Sequence, residues 1–396
     1  MLKCEKCGCE DPRYFGFRSG KQYCRRCISF IGEMAKQTNI ENNRVIEEKL
    51  NYPLSPKQEE VSSSVRDNFA AGKNTLIYAV CGAGKTELVY KTIAYALSHG
   101  MQVGFAIPRK DVVIELAPRI KDAFPSILIT SVYGGHHDKL EGEIILCTTH
   151  QLFRYIDYFD LLIIDETDAF PYSNNETLMN MFDKSIKGNY IMMSATPLKW
   201  MEDKIKKENG NIYSLMARYH KHPLIEPTKV ILPFGQEFYI VKKLKQYKKE
   251  NKPCFVFCPT IYEAEGLYPI LKMFVKSGKI VHSKKKDRND IIFDFKNNKF
   301  DYLVTTSVLE RGVTLKNIQV IVYHADSSIY TDAALVQISG RVGRKIDAFD
   351  GEVIFLCKEE NEMVNTAINK IKEANNNARM QNLLLWYQNG FTSLFS

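Results

Sequence analysis

In Ala79-Val-Cys-Gly-Ala-Gly-Lys85-Thr86, glycines lead directly into a lysine and a threonine. That order suits phosphate. Glycine lets backbone N–H groups converge on phosphate oxygens at the start of the next helix, the ammonium adds a point charge, and the hydroxyl can ligate Mg²⁺. Gly82, Ala83, Gly84, Lys85, Thr86 and Glu87 are therefore the expected nucleotide-binding residues, with Lys85 on the β- and γ-phosphates. Ala79 stands where the strict pattern has its first glycine. Further on, Leu161-Leu-Ile-Ile-Asp165-Glu166 ends an apolar run in two carboxylates. Asp165 is placed for Mg²⁺, directly or through water, and Glu166 for orienting and deprotonating an attacking water. Ser194-Ala-Thr196 follows, and Gln337-Ile-Ser-Gly340-Arg341-Val-Gly343-Arg344 comes much later. Three residues apart, Arg341 and Arg344 are expected on one helical face, one turn after Gln337. There they would stabilise a transferring phosphoryl group from across a domain cleft.

Each segment has a bland reading. A Gly-Lys-Thr turn, a solvated Asp-Glu loop, or a surface arginine pair beside an acid such as Asp347 would explain any one alone. Their fixed order favours an engine that hydrolyses nucleoside triphosphate. Gln58, in Leu54-Ser-Pro-Lys-Gln58, suits an adenine edge, although a surface glutamine explains it equally.

The cysteines carry a second chemistry. Five of ten fall within the first 27 residues. Cys4-x₂-Cys7 and Cys24-x₂-Cys27 have the spacing of a closed, structural tetrahedral Zn²⁺ site. So short a segment buries too little apolar surface to fold unaided, so metal would supply much of its folding energy. Cys9 offers an alternative ligand. Two disulfides fit an intracellular chain poorly. Arg13, Arg18, Lys21, Arg25 and Arg26 alternate with Tyr14, Phe15, Phe17 and Tyr23. Such a surface could hold a nucleic acid or a protein partner, or the rings could form the module's own core.

Composition bounds the rest. At 396 residues, 45% hydrophobic and 25% charged, the chain has the makeup of a globular protein of two or three domains. A formal charge of +8 suits a polyanionic partner without requiring one. No apolar run reaches the ~18 residues of a membrane span, and the N-terminus lacks a signal-like apolar stretch. A cytoplasmic protein is expected.

Apolar runs at 75–80, 102–107, 143–147, 161–164 and 190–193 read as buried strands, and Glu87 to His99 as a helix. Strands recur at 253–258, 279–282, 302–306, 319–323 and 352–356 after a polar, Lys-rich stretch at 199–228 that reads as a linker. Residues 31–50 read as a helical connector, and 361–388 as a helix ending in Leu383-Leu-Leu-Trp-Tyr387. The expectation is an α/β protein of two tandem parallel-sheet domains, at 51–227 and 228–396, behind a zinc module and connector at 1–50.

Together the segments from about residue 52 onward resemble superfamily 2 DEAD-type helicases, with Asp165-Glu-Thr-Asp168 in the place of that family's acidic box. The resemblance implies two RecA-like domains, ATP and Mg²⁺ as cofactors, and Ser194-Ala-Thr196 as the segment coupling hydrolysis to closure. It further implies nucleic-acid contacts from Arg109 in Ile107-Pro-Arg109, from Thr149 in Thr148-Thr149-His150, and from Thr306. The last residue lies in Thr305-Thr306-Ser-Val-Leu-Glu310-Arg311-Gly312-Val-Thr314, which resembles the second-domain segment touching both nucleotide and nucleic acid, with Gly312 on the nucleotide. Within that superfamily the chain resembles the late competence proteins of the ComFA family, which pair a four-cysteine module with this core. They also carry Arg-Tyr-His-x-His-Pro-Leu between the domains, here Arg218 to Leu224. This closer resemblance implies an ATPase driven by single-stranded DNA during natural transformation. It would act at the inner face of the cell membrane beside the DNA-uptake channel, with the partner ComFC and with oligomerisation left open. The rivals are an RNA or replication-restart helicase of the same fold, and a zinc-dependent DNA-binding adaptor whose motor is vestigial. A restriction-type translocase subunit is a third, but the sequence holds no nuclease constellation.

Overall fold

The structure, a computed structural model, describes residues 3–18, 20–38, 40, 44–168, 175–306 and 315–385. Gly312, with Glu310, Arg311 and Thr314, lies outside them, as do Trp386 and Tyr387. The chain divides into two compact units, Met1–Ala79 with Gly84–Leu215, and Val80–Ala83 with Met216–Ser396.

The first unit opens on a hairpin, β1 (Phe15–Arg18) and β2 (Lys21–Cys24), paired antiparallel. Among the described residues its main sheet has seven strands: β3 (Thr75–Ala79), β4 (Val103–Ile107), β5 (Ile129–Val132), β6 (Ile144–Thr148), β7 (Phe159–Asp165), β8 (Ile186–Ser194) and β9 (Asn211–Leu215). Every pairing is parallel, in the order β5-β6-β4-β7-β8-β3-β9. The central strands are apolar runs because helices cover both faces of a parallel sheet. Those helices are α1 (Pro56–Ala70), α2 (Lys85–Leu88), α3 (Tyr90–Ser98), α4 (Lys110–Ala123), α5 (Glu176–Ser185) and α6 (Lys199–Lys207). Ser55 and Gln58 start α1 with a reciprocal capping box, and Pro56 occupies the first turn, where its missing N–H costs nothing.

The second unit repeats the scheme with β10 (Thr228–Ile231), β11 (Cys254–Phe257), β12 (Gly278–Val281), β13 (Tyr302–Thr305), β14 (Gln319–Val322) and β15 (Val353–Cys357). Their order is β10-β15-β14-β11-β13-β12, again parallel throughout. Its helices are α7 (Gln236–Lys249), α8 (Ile261–Phe274), α9 (Arg288–Lys296), α10 (Asp332–Ser339) and α11 (Glu362–Met380).

Two expectations need correction. The described residues of 31–50 form no helix. They run as a strap whose polar groups bond to the unit beneath. Ala35 N–H donates to the Arg154 carbonyl at 2.9 Å, Gln37 to the Asp157 carbonyl at 2.9 Å, Ile46 N–H to Ser98 Oγ at 3.1 Å, and Lys49 N–H to the Ala123 carbonyl at 2.9 Å. The N–H groups of Ala35, Ile46 and Lys49, bonded outward in this way, are lost to an i→i−4 ladder. Nor is 199–228 a plain linker. It supplies α6 and β9 to the first unit, and from Met216 it belongs to the second.

Candidate active site and cysteine cluster

Parallel pairing brings the chemistry of the first unit to one edge. In register, Tyr78 lies beside Ser194 and Asp165 beside Met193, so the carboxyl ends of β3, β8 and β7 are adjacent. The phosphate loop leaves β3 there, and ligands of open α/β sheets bind at such an edge. Gly82 and Gly84 hold φ of 85° and 79°, left-handed values that glycine adopts without strain. A Cβ on Gly84 would come within 2.7 Å of Gln58 Nε2. Gln58 is buried, and its Oε1 accepts from Ser55 N–H at 2.8 Å. Its amide nitrogen therefore faces the loop while its oxygen holds the start of α1.

Lys85 Nζ lies 3.7 Å from Asp165 Oδ1. Burial raises the Asp165 pKa; Lys85 opposes that shift, and Glu166 and Asp168 add to it. Glu166 turns at φ 58°, so its own N–H folds back to Asp165 Oδ1 at 2.8 Å. These carboxylates, and the hydroxyl of Thr86 next to Lys85 in the chain, are hard oxygen donors, which suit Mg²⁺.

Asp168 has a function that sequence reasoning missed. Its two carboxylate oxygens accept from Ser194 Oγ and Thr196 Oγ1, each at 2.8 Å, while Thr196 N–H donates to Ser194 Oγ at 2.9 Å. Asp168 thus ties the acidic segment after β7 to the segment after β8. The signal was present in the fourth position of the acidic box.

In the second unit the arginine-bearing segment departs from expectation. Helix α10 ends at Ser339, Gly340 caps it, and Gly343 turns at φ 68°. Arg341 and Arg344 therefore sit in a tight turn and do not share a helical face. Arg341 is enclosed and Arg344 half-buried, with Arg344 Nε donating to the Gly340 carbonyl at 2.7 Å. Gln337 is buried within α10, and Asp347 pairs with Lys316 at 2.6 Å.

Packed against this turn is the segment read as a linker. Arg218 is 2% exposed. Its Nη1 donates to the carbonyls of Val342, at 2.8 Å, and Gly343, and its Nη2 to that of Gly340 at 3.4 Å. His220 Nε2 lies 3.0 Å from the Gly343 carbonyl, and its Nδ1 accepts His222 N–H at 3.1 Å. Those partners define a neutral ring protonated on Nε2. Burial, followed by the Arg218 charge, holds the His220 pKa down to about 4. His222 stacks on Phe349, with ring centroids 3.6 Å apart.

The four cysteines converge. Cys4 and Cys27 sulfurs are 3.5 Å apart, Cys7 and Cys24 are 3.7 Å apart, and all four lie within 4.8 Å of one another. Four ligands at ~2.3 Å around a tetrahedral zinc would be separated by about 3.8 Å. Cys9 contributes a carbonyl, accepting Cys4 N–H at 2.9 Å, and its sulfur is not in the cluster. Burial pushes the Cys7 thiol up to about 12, which a bound dication would reverse. The module is joined to the first unit's core. Lys184 reaches the Cys4 carbonyl at 3.1 Å, Arg26 pairs with Glu176 at 2.7 Å, and Phe30 stacks on His150. Tyr14 and Phe15 pack inward, whereas Phe17 is 74% exposed.

Of the expected nucleic-acid contacts, Arg109 and Thr149 follow β4 and β6, whose ends Ile107 and Thr148 are register partners. Arg109 is half-buried before α4, and the Thr149 side chain is fully enclosed. Thr306 is buried just after β13.

Residues 51–199 match the family of the type III restriction enzyme res subunit, and residues 238–345 match the helicase conserved C-terminal domain. With two parallel-sheet units, these matches define a superfamily 2 helicase, an ATP-hydrolysing enzyme that uses Mg²⁺ and binds nucleic acid. Competence protein ComFA of Bacillus subtilis (strain 168) is 38% identical, over 94% of this chain and 85% of its own. Competence protein ComFA of Streptococcus pneumoniae (strain ATCC BAA-255 / R6) is 32% identical, over 95% and 91%. The chain belongs to the ComFA family of competence proteins. S. cerevisiae Dbp5, in a structure bound to RNA and ADP BeF3, shares the fold at TM-score 0.60 and 15% identity, over 81% of this chain and 91% of that one. Among the described residues no helix is long and apolar enough to cross a membrane.

Asp168→Ala leaves the Ser194 and Thr196 hydroxyls without their shared acceptor, and should lower unfolding free energy by about 1–3 kcal/mol in denaturant titrations. Because the fold keeps His220 neutral, the unfolded chain binds the extra proton below its ordinary value of 6.5. Stability is therefore present above about pH 6.5 and lost as pH falls from there towards about 4. Melting curves across that window should fall less steeply for His220→Gln.

Proposed function

We propose that this chain is a single-stranded-DNA-stimulated ATPase that translocates along the strand and helps drive transforming DNA into the cell. The observation that carries the reading is likeness to ComFA proteins along nearly the whole chain, and it is supported by the approach of Lys85 to within 3.7 Å of Asp165 at a sheet edge. Lys85 and the N–H groups from Gly82 to Thr86 would hold the β- and γ-phosphates, with Gln58 reading the adenine edge. Thr86 and Asp165 would hold Mg²⁺, which supplies Lewis-acid stabilisation of the phosphoryl group. Glu166 orients and deprotonates the attacking water. Arg341 and Arg344, with Gln337 behind them, supply positive charge to the γ-phosphoryl as it transfers. DNA would be gripped largely through phosphates, by Arg109 and by the segments around Thr149 and Thr306, so binding should weaken with salt.

The cysteine cluster would take one Zn²⁺ through Cys4, Cys7, Cys24 and Cys27, a closed sphere that stabilises the module and does no chemistry. Membership of the ComFA family supports a place at the inner face of the cell membrane beside the DNA-uptake channel, with ComFC as partner.

ATP turnover should rise with single-stranded DNA more than with RNA of the same sequence, and the stimulation should need a higher DNA concentration as salt rises. Greater stimulation by RNA would favour an RNA-remodelling enzyme instead. Lys85→Ala should abolish turnover while DNA binding, measured by fluorescence anisotropy, stays largely intact. Wild-type hydrolysis by that variant would refute the assignment. Metal analysis should find one zinc per chain, released by a strong chelator together with a drop in melting temperature. Cys24→Ser should lose that zinc, whereas Cys9→Ser should keep it.

A further inference from the structure

An arginine finger works only if its guanidinium already stands where charge will develop, because reorganisation at the moment of reaction raises the barrier. Here both arginines lie beyond the end of α10, in a turn where the N–H groups of Arg341 and Val342 bond back to the Ile338 and Ser339 carbonyls at 3.1 and 3.2 Å, while the turn's own carbonyls must find partners outside it. The last carbonyls of a helix lack intrahelical partners. In this turn the carbonyls of Gly340, Val342 and Gly343 receive one side chain, Arg218, from a segment distant in sequence.

Three features make Arg218 specific to this turn. Among the described residues its charge is answered by carbonyl oxygens and not by a carboxylate: those at the negative end of α10, and that of Cys81 in the phosphate loop, which accepts Arg218 Nε at 3.2 Å. The Gly340 carbonyl accepts from both Arg218 Nη2 and Arg344 Nε, so the two guanidiniums are registered through one atom. Finally, a Cβ on Gly343 would collide with the Phe349 carbonyl and approach Arg218 Nη1 to 3.0 Å. The turn is thus moulded around the guanidinium. Behind Arg218, His220 holds the same Gly343 carbonyl, and His222 packs flat on Phe349 at the far side of the turn.

We propose that Arg218, backed by His220 and His222, is a positioning group for ATP hydrolysis. It fixes the Gly340–Arg344 backbone and so sets the placement of Arg344. The inference rests on the reading of Arg341 and Arg344 as arginine fingers. It gives Arg-Tyr-His-Lys-His-Pro, from Arg218 to Pro223, a mechanical task. Lysine cannot replace Arg218, because one ammonium on a flexible stem cannot span three carbonyls as a planar guanidinium does. Arg218 touches neither nucleotide nor water in this reading, and its effect on turnover passes through Arg344. Because its Nε also holds the Cys81 carbonyl of the phosphate loop at 3.2 Å, a loss seen mainly in analogue affinity would point to that loop and overturn the proposal.

The test is a double-mutant cycle on the full chain, with saturating single-stranded DNA. Steady-state turnover, affinity for a non-hydrolysable ATP analogue and thermal melting would be measured for Arg344→Ala, Arg218→Met, Arg218→Lys, His220→Gln and the Arg218→Met/Arg344→Ala pair. Arg218→Met and Arg218→Lys should each lower kcat roughly 10- to 100-fold, the scale of a small misplacement of a reacting group. KM for ATP and analogue affinity should stay within about threefold. The double variant should be no slower than Arg344→Ala alone, because the second loss acts through the first. His220→Gln, which keeps a donor for Gly343, should retain most of the turnover. If Arg218→Met loses its melting transition, Arg218→Lys carries the cycle. Turnover within twofold of wild type in a folded Arg218 variant, or losses that multiply fully in the double variant, would overturn the proposal. Normal turnover by Arg344→Ala would instead overturn the finger reading beneath it.

Discussion

A carboxylate at the end of a fully buried strand is costly unless charge or dipoles answer it, and the first unit is organised around that constraint. Asp165 ends β7, where burial disfavours its ionised form, and Lys85 is the cation set against it. The encounter requires β7, β8 and β3 to be neighbours and to point the same way, which right-handed crossovers with helices on both faces provide. Glu166 at φ 58° is a local departure from relaxed backbone at that edge. Conformations of this kind persist where the surrounding structure over-determines them. Seven strands and their covering helices hold a few atoms in a row.

Much of this was legible because buried strands in parallel sheets are continuous apolar runs. Leu161–Ile164 and Cys254–Phe257 declare themselves. The strands at the rims do not. Ile129-Thr-Ser-Val132 and Thr228-Lys-Val-Ile231 lie at sheet edges, half-exposed and mixed in polarity, so no run marks them. The cysteine spacing was informative for a similar reason, since two short loops closing on one point leave a periodic trace. The role of Cys9 needed coordinates, because what sets it apart is a backbone carbonyl.

The misreadings share a cause. Residues 31–50 and 216–227 were judged by composition, and polar residues look alike whether they face water or buried carbonyls. Arg218 is the sharpest case. In sequence it is one cation in a Lys-rich stretch, and in the fold it is one of the largest buried side chains among the described residues. Similarly, the spacing of Arg341 and Arg344 suggests a shared helical face, whereas Gly340 and Gly343 end the helix and begin a turn. Glycine marks possibility in a sequence, and the surrounding atoms decide which possibility is used.

The strap that follows the cysteine cluster decides how firmly the N-terminal hairpin is held. Residues 33–38 and 44–50 are hydrogen-bonded to the first unit at both ends, and the cluster shares that unit's hydrophobic core. A tethered hook on a slack cord would swing freely. This N-terminal piece is clamped like a bit in a chuck. The exposed Phe17 tip is thus carried by the phosphate-loop half itself, not by a cord beside it.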